Sequence, residues 1–303
     1  MKSLLCHAQN NKYAVGYFEA FNMDAMFAVI DAAENRRSPV IIGFGGQFIS
    51  SPKRIKKDNV FCYGALAKEA ALQTDVPVAV LLNEADNEDM IYQGMNAGFN
   101  AVMYKKPDED IEQTIKITKE ICQVSHTLGI DVESEVGELP CADISSGNYI
   151  KGENTDVKLA KRFVDETGVD ALAIAIGNVH ILEEKKASID YDLLAKLRNE
   201  LAVPLVLHGG TGLSEEDLHK VILSGISKIN IGTALKRAFI ETIGDFYKKR
   251  NVNVIDPHIT IGWGGCEDMI DCGRTAITRK TEMFMDLFGS SGHADKIRGE
   301  KNK

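Results

Sequence analysis

Short apolar runs alternate along this chain with longer amphipathic segments, and this alternation restricts the fold more than any other feature of the sequence. Most of the runs are continuously apolar, which is the pattern of parallel strands covered on both faces. Eight runs are predicted as strands, at residues 13–18, 39–43, 78–82, 101–104, 131–136, 171–176, 204–207 and 228–231. Eight strands that are each followed by a helix predict an α/β fold, specifically a (β/α)8 TIM barrel. An open, doubly wound sheet is the alternative, but such sheets usually have fewer strands.

The segments between these runs carry apolar residues at the three- and four-residue spacing of amphipathic helices. Predicted helices include residues 23–37, 108–129, 155–168 and 214–225. The length of 303 residues suits one barrel domain over residues 1–303. Residues from about 250 onward exceed the barrel, and they predict a C-terminal extension with a helix near 279–288 and a charged end that frays. The polar stretch at 137–154 is expected to be a lid or a mobile loop.

The charge and cysteine content exclude several classes of protein. The net charge is −9 and the chain has no basic run, so a nucleic-acid partner is not expected. No stretch approaches the roughly 18 apolar residues of a membrane span, and the N-terminal apolar run is too short for a signal peptide. The six cysteines form no CxxC pair and are expected to be reduced thiols. The sequence therefore predicts a cytoplasmic protein without a membrane partner.

Two glycine-containing loops stand where α/β barrels often bind phosphate. HGGTG, at 208–212, follows the seventh predicted strand, and NIGT, at 230–233, follows the eighth. Glycines let backbone N–H groups approach a phosphate closely, and the helix after the second loop points its positive N-terminus to the same place. These loops could be simple tight turns, but their position at the two expected strand ends favours a phosphate site. The predicted phosphate ligands from this pattern are Gly209, Gly210, Thr211, Gly232 and Thr233.

Two histidines follow neighbouring predicted strands and could converge on one metal ion. His180 follows the sixth strand and His208 follows the seventh. Adjacent barrel strands lie about 4.8 Å apart, so imidazoles at their carboxyl ends can reach a shared ion. A single histidine is more often structural, whereas a pair at neighbouring strand ends favours metal ligands.

At these motifs the sequence resembles the class II, zinc-dependent ketose-bisphosphate aldolases, which include fructose- and tagatose-bisphosphate aldolases. The matching segments are NAGFNAVMY, DVESEVGELP, TGVDALAIAIGNVH, PLVLHGGTGLSEED and KINIGT, in the family's order and spacing. The resemblance implies a TIM barrel and a phosphorylated sugar as substrate. It implies zinc or another divalent metal as cofactor, with a monovalent cation as an optional second ion. It also implies a homodimer or homotetramer.

The same resemblance shows where this chain departs from the family's metal site. His180 and His208 correspond to two of the family's three zinc-binding histidines. The family's HLDH motif, which holds the third histidine and the proton-transfer aspartate, is replaced by LLNE at 81–84. Asn83 therefore replaces the catalytic aspartate, and Glu84 replaces the metal-binding histidine. Glu84, His180 and His208 would form a two-histidine, one-carboxylate metal site.

Further departures from the family pattern also affect its metal and proton-transfer residues. Lys105 stands where the family usually has an aspartate, and Glu19 stands where it usually has an asparagine. Glu133 and Glu135 correspond to two family glutamates, of which Glu135 is the one close to the metal. Lys105 could form a Schiff base with a ketose, or it could simply pair with Glu84 or Glu19.

The phosphate side keeps more of the family pattern. Gly209, Thr211 and Thr233 match its phosphate ligands, and Asn230 matches the asparagine that holds the substrate's hydroxyl or carbonyl end. Lys228, inside the eighth strand, matches a family lysine and is expected to be structural or close to the phosphate.

The predicted function is that of a class II aldolase-like lyase. It would cleave or form a C–C bond in a phosphorylated ketose, with dihydroxyacetone phosphate and an aldehyde as the fragments. Asn83, Glu135 and Lys105 are the predicted catalytic residues. An amide cannot accept the proton released in aldol cleavage, so Glu135, Glu19 or Glu84 would have to replace the aspartate. Two alternatives stay open: a non-catalytic phosphosugar-binding paralogue, and an isomerase or epimerase on the same scaffold.

Overall fold

A closed barrel of eight parallel strands forms the centre of the computed structural model, which describes residues 1–137, 141–142, 149–150, 152–178, 188–250 and 254–301. Each strand pairs with the next along the chain, and the last pairs with the first. The strands are β1 (Val15–Glu19), β2 (Val40–Gly45), β3 (Val78–Ala85), β4 (Ala101–Tyr104), β5 (Asp131–Val136), β6 (Ala171–Ile174), β7 (Leu205–Leu207) and β8 (Ile226–Ile231). The predicted (β/α)8 TIM barrel is confirmed.

Helices surround the barrel and connect its strands. They are α1 (Lys2–Asn10), α2 (Met23–Arg36), α3 (Gly46–Ile49), α4 (Val60–Gln73), α5 (Glu88–Ala97), α6 (Ile111–Thr127), α7 (Val157–Thr167), α8 (Tyr191–Glu200), α9 (Glu215–Leu223), α10 (Thr233–Lys248), α11 (Pro257–Thr260), α12 (Met269–Leu287) and α13 (His293–Lys301). Side-chain caps begin several of them; for example, the hydroxyl of Ser214 accepts a hydrogen bond from the backbone N–H of Asp217 at 3.1 Å. None of the helices within these described ranges is both long enough and apolar enough to cross a membrane.

The C-terminal extension is more regular than the sequence suggests. The helix expected near 279–288 is the second half of α12, which packs against α2 and α10. The charged end that was expected to fray forms α13 instead. The backbone N–H of Ala294 donates to the carbonyl of Arg37 at 2.9 Å, and Ala294 and Ile297 are buried, so local charge content alone was a poor guide here. Most of the stretch expected to form a lid, 137–154, lies outside the described residues.

Strand residues alternate between two apolar clusters. In β3, Val80 and Leu82 belong to the cluster between barrel and helices, whereas Ala79 and Leu81 belong to the cluster inside the barrel. Both faces of each strand are therefore covered, which explains why the strands read as continuous apolar runs. The same alternation directs the polar residues at the strand ends into the barrel mouth.

Helix α1 closes the amino-terminal end of the barrel. Leu4, Leu5 and Ala8 are buried in the same cluster as the barrel interior. The side chain of Lys2 reaches Asp170, just before β6, at 2.9 Å. Apolar side chains thus fill the interior next to α1. The polar residues Asn83 and Glu84 stand at the opposite, carboxyl end of β3.

Candidate active site

The mouth of the barrel brings together side chains from the carboxyl ends of four strands. They come from β3 (Asn83, Glu84), from the position directly after β4 (Lys105), from β5 (Glu133, Glu135) and from the position directly after β7 (His208). Asn83, Glu84 and His208 stood out in the sequence at predicted strand ends, where barrels carry their sites. The family resemblance selected Lys105, Glu133 and Glu135.

Two adjacent residues of β3 face this mouth because the backbone is irregular there. The pairing of β3 with β4 shifts register between Leu82 and Ala85. Glu84 has a φ of 49°, in the left-handed region that costs roughly 1–2 kcal/mol for a residue with a Cβ. One carboxylate oxygen of Glu84 accepts hydrogen bonds from Gln47 at 3.0 Å and from the Asn83 amide at 3.3 Å. The unusual backbone therefore presents a carboxylate where a regular strand would turn it away.

Lys105 bridges two carboxylates at the mouth. Its Nζ lies 3.0 Å from Glu84 Oε1 and 2.8 Å from Glu135 Oε2. Burial by itself lowers the pKa of Lys105, but Glu135 and Glu84 outweigh it and raise that pKa above its ordinary value. Of the two partners predicted for Lys105, Glu84 contacts it and Glu19 does not. Glu19 instead pairs with Lys236 at 2.9 Å. A protonated amine is not nucleophilic, so this arrangement favours the ion-pair interpretation over a Schiff base.

Beneath the mouth lies a fully buried ion pair. Lys228 Nζ lies 2.8 Å from the carboxylate of Glu133, and neither side chain has any exposed surface. Burial raises the pKa of Glu133, but Lys228 and His208 outweigh it and hold that pKa below its ordinary value. Glu133 is therefore an ionised group that can only accept hydrogen bonds.

This ion pair determines how His208 presents itself to the mouth. His208 Nε2 lies 3.3 Å from Glu133 Oε1, so the hydrogen-bond network assigns the ring proton to Nε2. The lone pair of Nδ1 then faces the other two acidic groups, 3.9 Å from Glu84 Oε1 and 3.7 Å from Glu135 Oε2. An orienting carboxylate behind a histidine is the usual arrangement in metal sites.

Three of these side chains could hold a metal ion. Glu84, Glu135 and His208 each offer a ligand atom, and the three atoms lie within 4.8 Å of one another. Two carboxylate oxygens and one imidazole nitrogen suit zinc and other divalent ions. The donor set therefore fits a divalent metal. The predicted ligand His180 lies outside the described residues.

The predicted phosphate loops lie side by side, since β7 and β8 are paired with Leu207 opposite Ile229. Gly209 has a φ of 70°, which a glycine adopts without strain, and it leads into a short 3-10 turn at Gly210–Gly212. Gly232 directly precedes α10, and a Cβ there would come within 2.4 Å of Glu19 Oε2. The loops thus bring glycine backbone and a helix N-terminus to the same side of the mouth.

Two polar residues at the mouth were not selected from the sequence. Gln47 donates to Glu84, and Lys236 pairs with Glu19 while its Nζ lies 4.4 Å from the centre of the Phe48 ring. Gln47 stands two residues after β2, and Lys236 stands in the first turn of α10. Their position beside strand ends is the sequence feature that could have identified them.

Comparisons with known proteins agree with this geometry. The family model described as fructose-bisphosphate aldolase class-II matches residues 1–293. The chain is 35% identical over 288 residues to the uncharacterized protein YdjI of Escherichia coli K12, covering 95% of this chain and 96% of that one. It is 32% identical over 300 residues to a fructose-bisphosphate aldolase of Geobacillus stearothermophilus, covering 97% and 98%.

Solved structures give the same result. The crystal structure of the E. coli YdjI aldolase is similar with a TM-score of 0.80 and 29% identity, covering 97% of this chain and 98% of that one. A putative fructose-1,6-bisphosphate aldolase from Coccidioides immitis shares the fold with a TM-score of 0.81 at 23% identity, covering 97% of each chain. The chain therefore belongs to the class II fructose-bisphosphate aldolase family.

Proposed function

We propose that this protein is an aldolase-type lyase that cleaves or forms a C–C bond in a phosphorylated ketose. The observation that carries the proposal is the convergence of Glu84, Glu135 and His208 at the barrel mouth that also holds the two glycine loops. A metal-type donor set beside a phosphate-type loop suits a substrate with a carbonyl and a phosphate. Membership of the class II aldolase family supports the same reaction class.

Glu84 and His208 are the proposed metal ligands, together with His180 from the sequence prediction. Zinc bound there would polarise the ketose carbonyl and stabilise an enediolate. The protein's own contribution is orientation: Glu133 contacts Nε2 of His208, and Nδ1 of the same ring lies on the mouth side, toward Glu84 and Glu135. The irregular backbone at Glu84 brings its carboxylate to the same place.

Glu135 is the proposed proton acceptor in place of the missing aspartate. Its Oε2 is held by Lys105 at 2.8 Å, whereas its buried Oε1 accepts no hydrogen bond from the described residues. The amide of Asn83 cannot take a proton, but it can orient a substrate hydroxyl. In this proposal Lys105 is an ion-pair partner of Glu135 in the metal-free protein and not a nucleophile.

The phosphate would be held at the ends of β7 and β8. The proposed ligands are the backbone N–H groups of Gly209, Gly210 and Gly232 and the hydroxyls of Thr211 and Thr233. The N-terminus of α10 adds a favourable dipole.

Asn230 is the proposed holder of the sugar's hydroxyl or carbonyl end. Its Oδ1 is buried and accepts no hydrogen bond from the described residues, as expected of a group kept for a ligand.

We also propose that the protein works as a cytoplasmic homo-oligomer.

The test is release of dihydroxyacetone phosphate from a panel of ketose 1-phosphates and bisphosphates, measured with a coupled dehydrogenase. We expect release that is abolished by EDTA and restored by zinc. Activity that survives thorough chelation would contradict the metal assignment. Thermal stabilisation by the sugar phosphate without any product would favour the binding paralogue. Exchange of the proton beside the ketone without an aldehyde product would favour the isomerase.

A further inference from the structure

Lys105 occupies the same carboxylate oxygens that the candidate metal site would use. Its Nζ contacts Glu84 Oε1 at 3.0 Å and Glu135 Oε2 at 2.8 Å. The same two oxygens lie 3.9 Å and 3.7 Å from His208 Nδ1. The ammonium therefore does for these carboxylates what a bound cation would do: it draws them together and neutralises them.

Two other lysines in the described part of the mouth pair with other carboxylates. Lys228 lies 2.8 Å from Glu133, and Lys236 lies 2.9 Å from Glu19. Glu84 and Glu135 expose only 13% and 3% of their side chains, so water screens their mutual repulsion poorly. If no metal is bound, Lys105 offsets this repulsion, because it is the described lysine that contacts both carboxylates.

A metal ion and the ammonium cannot share this site without cost. Zinc binds carboxylate oxygen at about 2.0–2.2 Å. An ion that binds Glu84 Oε1, which lies 3.0 Å from Lys105 Nζ, would then lie no more than about 5 Å from that ammonium, whichever side it approaches from. Like charges at this separation repel strongly in a partly buried site. The Lys105 side chain can turn away from the site toward solvent, since 33% of it is exposed.

We propose that Lys105 is an internal counter-cation that holds the donor set together in the metal-free protein and competes with a divalent ion for it. This inference rests on the proposed metal site and adds a property to it. The site would be assembled before metal arrives, and the metal would bind weakly enough to exchange. Lys105 is thus a positioning residue whose two effects have opposite signs.

The opposite signs define the experiment. Lys105→Met keeps the length of the side chain and removes its charge. In EDTA the variant should unfold at a lower temperature than wild type, because two carboxylates lose their counter-ion. Zinc should be titrated calorimetrically into metal-free protein. It should bind the variant at least about tenfold more tightly than wild type, because a neighbouring charge changes an ionic equilibrium by about tenfold or more. If Lys105 were merely structural, the substitution would lower both the unfolding temperature and the zinc affinity.

Lys106→Met is the matched control. Lys106 is the next residue, is 54% exposed, and pairs with Glu109 rather than with the donor set. We expect no change in either measurement for this variant, and wild-type zinc affinity for Lys105→Arg, which keeps the charge. Equal or weaker zinc binding by Lys105→Met would overturn the competition, and an unchanged unfolding temperature in EDTA would overturn the assembly role.

A measurement on the wild-type protein keeps the inference testable if Lys105→Met does not fold. Zinc should release Lys105 from its carboxylates, so brief treatment with an amine acylating reagent should label Lys105 more strongly, relative to Lys106, with zinc than with EDTA. Peptide mass spectrometry gives this ratio, and an unchanged or smaller ratio contradicts the competition. Either result is separate from the aldolase proposal, which depends on dihydroxyacetone phosphate release.

Discussion

The buried pair of Glu133 and Lys228 makes a prediction that joins stability to the site. Glu133→Gln keeps the shape of the side chain but removes its charge, which leaves the ammonium of Lys228 buried without a counter-ion. Both side chains are completely buried and only 2.8 Å apart, so water cannot compensate. Breaking such a pair costs about 3–5 kcal/mol. For a chain of 303 residues we expect the unfolding temperature to fall by roughly 5–8 °C.

The second partner of Glu133 adds an independent effect. The glutamate also orients His208, whose Nε2 lies 3.3 Å from it. Loss of an orienting carboxylate behind a metal ligand typically lowers metal affinity by about 10–100-fold. Glu133→Gln/Lys228→Met removes both charges, so its stability should return to within about 2 kcal/mol of wild type. Its zinc affinity should stay low, because His208 still lacks the carboxylate.

Urea unfolding and zinc titration of the single and double variants measure these two effects separately. Glu112→Gln is the control, because Glu112 forms an ion pair with Arg162 at 2.6 Å in which both side chains are largely exposed. That change should alter stability little, because water and salt screen an exposed ion pair. The reasoning is refuted if Glu133→Gln costs no more than the control, or if the double variant is no more stable than the single one.

Two further predictions concern the mouth and the opposite end of the barrel. Asn83→Asp should raise the rate of dihydroxyacetone phosphate release by at least about tenfold, because a carboxylate can take the proton that an amide cannot. Steady-state kinetics measures this rate. An unchanged rate would show that proton transfer at this position does not limit turnover. At the amino-terminal end, burial raises the pKa of Asp170, but the backbone N–H of Val132 and the ammonium of Lys2 outweigh it and lower that pKa below its ordinary 3.8. The stabilisation by this carboxylate is therefore complete above about pH 3.8 and lost as the pH falls below it. Asp170→Asn should cost about 1–3 kcal/mol near neutral pH, and urea unfolding at pH 3 should show a smaller difference.

The barrel was predictable because its strands are buried on both faces. The bounds predicted for β4 and β5, 101–104 and 131–136, are those of the structure. The predicted β3 ended at 82, whereas the strand continues to Ala85. Hydrophobicity could not show this, since Asn83 and Glu84, which follow Leu82 in β3, are polar and face the mouth. Helix α1 was missed for a related reason: its short apolar stretch is meaningful only once the barrel end that it covers exists.

The site was predictable as a set of strand ends but not as a set of contacts. Asn83 and His208 were selected by position and Lys105 and Glu135 by the family resemblance, and the structure brings them to one mouth. The direction of the Glu84 side chain depends on one left-handed residue and a register shift, which no residue pattern reports. Which carboxylate Lys105 would pair with depended on distances between strands. The catalytic, metal and phosphate roles of these residues stay predictions.

The closure of the barrel by α1 has a consequence for the order of events at the site. With Leu4 and Leu5 packed into the interior, the described residues leave the donor set open to solvent from the carboxyl-terminal mouth and not from the α1 end. A sugar phosphate seated on the glycine loops would stand in that mouth. Metal should therefore exchange rapidly only while the substrate is absent, and saturating sugar phosphate should slow both the loading of zinc and its removal by a chelator.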